Sequence, residues 1–241
     1  MFLSIDIEGG GRHGERLNEV GVSIFNTSSL SSTALETIRP ILSYNFRLLS
    51  KSGYVKYSNE FLFGITEHTP LEETKDLFRR IALGGQHQNP IYDADGMEIV
   101  LVGHHITGDM RIMDRYIPGL WQNATIAAVI DLEVLHGGMK LSRVLDSVNL
   151  ENGKLRGLHC GGNDANYSLR ALLLTAVHIS ETNTDGNSMD QERAENIRKV
   201  ALGVMPKLKA DINKNVWGNN ALCIEGSLDT LGADWGDFIF G

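Results

Sequence analysis

Four acidic residues and one histidine occupy positions from which they could bind divalent cations together. Asp6 and Glu8 stand two residues apart in an apolar segment that is typical of a buried strand. Alternate residues of a strand share a face, so both carboxylates could converge on one hard cation. Asp109 and Asp164 each stand near the start of a predicted helix, and His159 precedes the second helix in a loop. These residues are the parts of a two-metal hydrolase.

The order of these residues along the chain identifies the set, because each short motif occurs twice. The Asp-x-Glu spacing recurs at Asp131 and Glu133, and the His-x-x-x-x-Asp spacing recurs at His104 and Asp109. One combination gives a strand pair, then a helix acid in the middle of the chain, then a late helix acid preceded by a loop histidine. It consists of Asp6 and Glu8, then Asp109, then His159 and Asp164. We therefore interpret Asp131 as a buried, hydrogen-bonded acid rather than a ligand. We expect His104 and His105 to pack and to form hydrogen bonds.

Strands that alternate with helices must position these residues, and this alternation predicts an α/β domain. The predicted strands are Phe2–Ile7, Val20–Phe25, Leu35–Leu42, Ile99–Val102 and Ile126–Leu135. The predicted helices are one that starts at Thr69 and Pro70, Asp109–Tyr116, Leu141–Val148, one from Asn163 or Asp164 to Ile179, and Met189–Leu208. The first two strands read as a hairpin, so we expect a mixed sheet. Residues 84–96 are polar and predict an exposed loop.

The composition fits one large globular domain that needs neither disulfides nor metal to stay folded. The chain has 241 residues, of which 42% are hydrophobic and 22% are charged. Its net charge of −8 argues against a protein that coats long duplexes. The charge is compatible with an enzyme that grips one strand end, because bound divalent cations offset clustered carboxylates. Cys160 and Cys223 lie far apart, which suits a reducing compartment and argues against a zinc module.

The apolar segments predict a protein without a membrane anchor. No secretory signal is apparent, because the first apolar segment meets Asp6 at once. The longest apolar run, around Ala171 to Val177, is much too short to cross a bilayer. We therefore expect an intracellular protein, cytoplasmic or nuclear, without membrane contact.

The motifs around the acidic residues resemble those of the DEDDh enzymes, which are DnaQ-like 3′→5′ exonucleases of the ribonuclease-H-like superfamily. Residues 4–8 resemble motif I, residues 17–21 the strand that follows it, residues 103–109 motif II, and residues 159–165 motif III. The Gly-Asn-Asp-Ala form of motif III, together with residues 61–67, resembles a fungal subgroup of these nucleases. The resemblance covers roughly residues 3 to 180 and is specific in order and spacing.

This resemblance implies a ribonuclease-H-like α/β fold with a mixed central sheet flanked by helices. It implies a single exonuclease domain over residues 1–241. Residues 43–98 would be partly a family-specific insertion, and residues 180–241 a C-terminal helix and tail. It implies a substrate as well, the 3′ end of single-stranded RNA or DNA with RNA favoured, from which nucleoside 5′-monophosphates are released.

The resemblance also implies a role for each site residue. Asp6, Glu8 and Asp164 would hold the metal that binds the attacking water, and Asp6 and Asp109 would hold a second metal near the leaving oxygen. His159 would be the general base, because imidazole titrates near neutrality. An all-oxygen carboxylate site suits two Mg²⁺ or Mn²⁺ ions, and it does not suit zinc.

Some residues depart from the family pattern, and these departures leave other hypotheses open. Gly9-Gly10-Gly11 stands where relatives commonly have Thr or an apolar residue, and His105 and Gly108 stand where motif II often has Asn and Phe. One alternative is a catalytically inactive domain that binds nucleic acid or a protein. Another is a ribonuclease-H-like endonuclease. Glu19, on the second strand, is interpreted as structural rather than catalytic.

Overall fold

The core of the fold is a mixed sheet whose described strands have the order β4-β3-β2-β1-β5-β6. The strands are β1 Phe2–Gly10, β2 Arg16–Phe25, β3 Ile41–Leu48, β4 Thr66–Thr69, β5 Ile99–Gly103 and β6 Ile126–Asp131. β1, β2 and β3 pair antiparallel, while β4 lies parallel to β3, β5 to β1 and β6 to β5. The predicted α/β class and mixed sheet are confirmed.

Helices follow the strands in the computed structural model, which describes residues 1–10, 16–27, 30, 40–49, 60–82, 98–150, 157–182 and 191–203. The helices are α1 Leu71–Ala82, α2 Ile106–Tyr116, α3 Leu120–Asn123, α4 Leu132–Leu135, α5 Leu141–Ser147, α6 Gly161–Thr182 and α7 Gln191–Leu202. Within these ranges, no helix has the length and apolar character that a membrane span requires.

Every described residue belongs to one compact unit, Met1–Met205. The predicted loop at 84–96, the end of the predicted last helix at 204–208 and the tail from 213 onward all lie outside the described residues. The single domain over 1–241 therefore stays a prediction. Within residues 43–98, the described parts contribute most of β3, together with β4 and α1.

Three boundaries differ from the sequence prediction. The third strand is Ile41–Leu48 rather than Leu35–Leu42, and residues 35–39 lie outside the described part. The strand predicted over Ile126–Leu135 ends at Asp131, because the Asp131 side chain accepts the N–H of Glu133 and caps α4. α2 begins at Ile106, so Asp109 lies in its first turn rather than at its first position.

α6 is the central helix of the packing and is buried on almost every side. It contacts β1, β2 and β3 of the sheet as well as α5 and α7. Such a helix is apolar around its circumference, and its buried polar groups need partners. The buried Arg170 has such partners. Its guanidinium donates hydrogen bonds to the carbonyl oxygens of Ala201 at 2.6 Å and Gly203 at 2.9 Å, at the end of α7. α6 is therefore fixed firmly enough to position side chains at its N-terminus.

Candidate active site

β1 extends beyond its neighbour β5, and the predicted site residues gather at this overhang. β1 pairs with β5 only up to Ser4, because β5 then ends and the chain turns into α2. The main-chain N–H of Ile7, beyond the paired stretch, donates a hydrogen bond to the carboxylate of Asp109. The first turn of α2 is thereby tied to the strand that carries Asp6 and Glu8.

The N-terminus of α6 lies directly on the β1–β2 hairpin through two glycines. A Cβ added to Gly21 would lie 1.8 Å from the carbonyl carbon of Gly161. One added to Gly161 would lie 3.0 Å from the main-chain oxygen of Asp6. The helix can approach this closely only because neither residue has a side chain. Gly21 is paired with Asp6 in the sheet, so this contact brings Asp164, in the first turn of α6, beside β1.

Glu19 joins β2 and β3 to the start of α6. Its side chain is only 2% exposed, and it lies opposite Glu8 in the ladder. One carboxylate oxygen accepts the N–H of Gly161 at 2.8 Å. The other accepts two hydrogen bonds from the Arg47 guanidinium, at 3.1 and 3.0 Å. Glu19 thus forms an ion pair with Arg47 and also accepts the Gly161 N–H, which has no partner within the helix. These contacts agree with the structural role predicted for Glu19.

Two further residues complete the cap of α6. The N–H of Gly162 donates to the side-chain oxygen of Asn45 at 2.9 Å, and the N–H of Asp164 donates to the main-chain oxygen of Cys160 at 2.9 Å. The thiol of Cys160 donates to Glu19, and burial raises its pKa to about 12. Asn45 was not among the predicted site residues, because the predicted third strand ended before it. Asn45 is flanked by the aromatic residues Tyr44 and Phe46, and a polar residue in such a segment was the signal that could have indicated it.

The structure places Glu8, His159 and Asp164 together and brings the carboxylates of Asp6 and Asp109 into electrostatic interaction with Glu8 and Asp164. Ligand atoms of Glu8, His159 and Asp164 all lie within 4.8 Å of one another. The carboxylate of Asp6 interacts electrostatically with those of Asp164, Asp109 and Glu8. One oxygen of Asp164 accepts the main-chain N–H of His159 at 3.0 Å, while Oδ1 is buried without a hydrogen-bond partner. A buried carboxylate oxygen of this kind fits a cation site, as do the neighbouring carboxylate oxygens.

The electrostatics of the cluster favour protonation when no cation is bound. Burial raises the pKa of Asp6 well above its usual range, and the neighbouring carboxylates raise it further. Burial likewise raises the pKa of Asp109 to about 8 and that of Asp164 to about 7, against the lowering effect of the N–H groups that they accept. The pKa of Glu8 is raised by burial and lowered in part by His159. Ionised, these groups repel one another, and bound cations would relieve that repulsion.

These shifts predict that the protein without divalent cations loses stability as the pH rises. Asp109 and Asp164 have folded-state pKa values of about 8 and about 7, against 3.8 ordinarily. Their contribution is full below pH 3.8 and is lost as the pH rises through the folded-state values. The melting temperature in a chelator should therefore fall between pH 5 and pH 8. Mg²⁺ or Mn²⁺ should raise it more at pH 8, where ionised carboxylates bind cations.

The variant Asp109→Asn provides the control for this titration. It should flatten the decrease of melting temperature with pH, because one of the carboxyl groups whose pKa is raised is gone. A melting temperature that rises with pH in the chelator would contradict the electrostatic account of the cluster.

The second Asp-x-Glu motif supports the turn before α2. Oδ1 of Asp131 accepts the main-chain N–H of His105 at 2.9 Å, and Nδ1 of His105 donates to Glu133 at 2.8 Å. His105 needs this support because its φ of 64° lies in the left-handed region. Nε2 of His104 donates to the carbonyl oxygen of Met139 at 2.7 Å. The hydrogen bonding expected of these residues is present, although Asp131 is only partly buried.

The two departures in motif II contact each other. A Cβ added to Gly108 would lie 3.0 Å from Cδ2 of the His105 ring. The imidazole therefore lies beside residue 108, and a side chain at that position would require the exposed ring of His105 to shift.

The mixed sheet, its flanking helices and the carboxylates at the β1 overhang define the class of protein as a ribonuclease-H-like α/β domain of the DnaQ type. A model of one family, the DEDDh C-terminal domain described as DNA polymerase III subunit epsilon-like, matches residues 1–175. The chain therefore belongs to this DEDDh family, and the fold expected from the motifs is confirmed. No curated protein is similar enough to count as a match.

Proposed function

We propose that this protein is a divalent-cation-dependent 3′→5′ exonuclease that hydrolyses single-stranded nucleic acid from its 3′ end. Membership of the DEDDh family supports an exonuclease in general. The observation that carries the proposal is the buried Oδ1 of Asp164, which has no hydrogen-bond partner and lies in a cluster with Glu8 and His159. Such an oxygen is costly to bury unless it binds a cation.

The five clustered residues divide the work of the reaction between them. Asp6, Glu8 and Asp164 would hold one Mg²⁺ or Mn²⁺ ion, and Asp6 and Asp109 would hold a second. When bound, the two cations would polarise the phosphodiester and stabilise both the entering and the departing oxygen.

His159 is the general base in this proposal. Its side chain is exposed, and a ring nitrogen lies within 4.8 Å of ligand oxygens of Glu8 and Asp164. The imidazole takes a proton from the attacking water, whose oxygen bonds to phosphorus. The bond from phosphorus to the 3′ oxygen of the preceding nucleotide breaks, and that oxygen leaves as a hydroxyl with a proton from solvent. The terminal nucleotide is released as a 5′-monophosphate.

The proposal includes the substrate and the setting that the sequence suggests. RNA is favoured over DNA, on the resemblance of residues 61–67 and 162–165 to a fungal subgroup. The whole chain, residues 1–241, acts as one exonuclease domain. It works inside the cell, in the cytoplasm or nucleus, where its two widely spaced cysteines suit a reducing environment.

The test is the release of mononucleotides from 3′-labelled single-stranded RNA and DNA of the same sequence. We expect 5′-monophosphates in Mg²⁺ or Mn²⁺, none in a chelator, and no cleavage of a circular strand. His159→Ala should lower the rate by about 10²-fold or more, the usual contribution of a general base. The matched control is His178→Ala, an exposed histidine on α6. Unchanged turnover by His159→Ala would remove this histidine from the reaction, and cleavage of the circle would favour an endonuclease.

A further inference from the structure

The side chain of Asn163 is buried, and hydrogen bonds engage both of its N–H donors and its oxygen. The residue is 0% exposed. Its amide nitrogen donates to the carbonyl oxygens of Glu60 and Gly157, both at 2.8 Å, and its oxygen accepts the N–H of Leu62 at 2.8 Å. An amide has two N–H donors, and each here has its own acceptor. Asn163 thus joins two segments that are about a hundred residues apart in the chain.

One of these segments, residues 60–65, is held against α6 by its aromatic side chains, and we refer to it as the strap. A Cβ added to Gly162 would lie 2.7 Å from the Phe61 ring, so this ring packs directly on the helix backbone. Phe63 meets Tyr167 edge to face at 5.3 Å, and the Arg170 guanidinium lies 5.3 Å from the Phe63 ring. The strap is therefore a fixed support to which Asn163 can connect other groups.

The other segment leads to His159. Gly157, two residues earlier, has a φ of 109°, and a Cβ there would lie 2.7 Å from the Asn163 amide nitrogen and 3.0 Å from Leu62. His159 itself has a left-handed φ of 67°, and its N–H is bound by Asp164. The short loop is thus held at two points. Asn163 holds the carbonyl of Gly157, and Asp164 holds the N–H of His159.

We propose that Asn163 and the strap are a positioning device for the His159 imidazole. Asn163 does not touch the reacting atoms in this inference, which rests on the proposed function of His159 as general base. The amide fixes Gly157 and so maintains the left-handed conformation that directs His159 toward Glu8 and Asp164. The strap and the Asn163 segment are also the two parts of the chain that resemble a subgroup of these nucleases, and here they bind each other.

The test is Asn163→Asp, which preserves size but replaces the two N–H donors with an acceptor facing two carbonyl oxygens. We expect kcat to fall 10- to 100-fold with KM changed less than threefold, because a misplacement of about 1 Å can cost about 10²-fold. Amide hydrogen exchange at residues 157–160 should become faster. Asn163→Ala serves as a second variant without a new charge, and Asn123→Asp, at an exposed position in α3, is the matched control.

A double-mutant cycle separates positioning from a general structural role. In the His159→Ala background, Asn163→Asp should lower kcat by less than twofold, because the residue acts through the missing imidazole. A full second loss in that background, or wild-type kcat with unchanged exchange in both Asn163 variants, would overturn the proposal. If the wild-type protein has no nuclease activity, the proposed function fails instead. The exchange measurement then still decides whether Asn163 orders the loop.

Discussion

Asp164→Asn is expected to abolish most turnover while making the cation-free protein more stable. The variant preserves an oxygen to accept the N–H of His159, but it removes the charge from the buried Oδ1. A bound cation stabilises the transition state by several kcal/mol, and the variant removes one of the ligands that hold it. We therefore expect kcat to fall on the order of 10³-fold. At pH 8, above the raised pKa of about 7, the variant also removes one of the repelling charges. Its melting temperature in a chelator should therefore exceed that of the wild type.

The two effects of this variant have opposite signs, which makes the result specific. Single-turnover rates with a 3′-labelled strand and thermal unfolding with and without Mg²⁺ measure them separately. Asp146→Asn is the matched control, because it makes the same change at an exposed position on α5. A variant that loses activity and stability together would indicate that Asp164 is a structural cap of α6 rather than a ligand.

Gly21→Ala is expected to disturb both folding and catalysis. The new Cβ would lie 1.8 Å from the carbonyl carbon and 1.9 Å from the oxygen of Gly161, and no side-chain rotation can relieve a clash between backbone atoms. Overpacking typically lowers the free energy of unfolding by about 1–3 kcal/mol. Because the new Cβ would meet backbone atoms, we expect a loss of about 3 kcal/mol or more for Gly21→Ala. The start of α6 must move away from β2, and Asp164 and His159 move with it. Since a shift of about 1 Å can cost about 10²-fold, turnover should fall even where the protein stays folded.

Urea unfolding and the nuclease assay measure these losses, with Gly137→Ala as the control. Gly137 differs from Gly21 in having a positive φ, 65°, and an added Cβ there meets nothing within 4 Å. Its replacement should cost only the backbone strain, roughly 1–2 kcal/mol. Equal stability of Gly21→Ala and wild type would show that the helix terminus does not depend on this close approach.

The sequence alone indicated which residues would lie close together, because their spacing follows from regular geometry, while their roles as metal ligands and general base stay predictions. Alternation along a strand puts Asp6 and Glu8 on one face, and helix starts bring in Asp109 and Asp164. The order of these motifs then distinguished Asp6 and Glu8 from the second Asp-x-Glu motif, Asp131 and Glu133, which the structure places in the supporting turn at His105. The mixed sheet followed from the early hairpin.

The supporting contacts could not be predicted, because they join distant segments through side chains. β3 illustrates the reason. Ser43, Asn45 and Arg47 alternate along it and are polar, since they bind Asn166, the N–H of Gly162 and Glu19 beneath α6. The apolar and polar residues that alternate from Leu42 to Leu48 were a strand signal that the prediction did not use, and they do not reveal that the polar face lies against α6. The interpreted boundary therefore fell too early, and the partners of Glu19 and Asn163 were not recognised.

The hydrogen bond from Gly161 to Glu19 spans 142 positions of the chain, and this separation has a consequence for biosynthesis. Domains fold as their segments emerge from the ribosome, and pairings of long range form late. A nascent chain has made β1 and β2 long before it has made the helix that completes the cluster. Asp6 and Glu8 therefore cannot form the cluster with Asp164 until α6 has been translated.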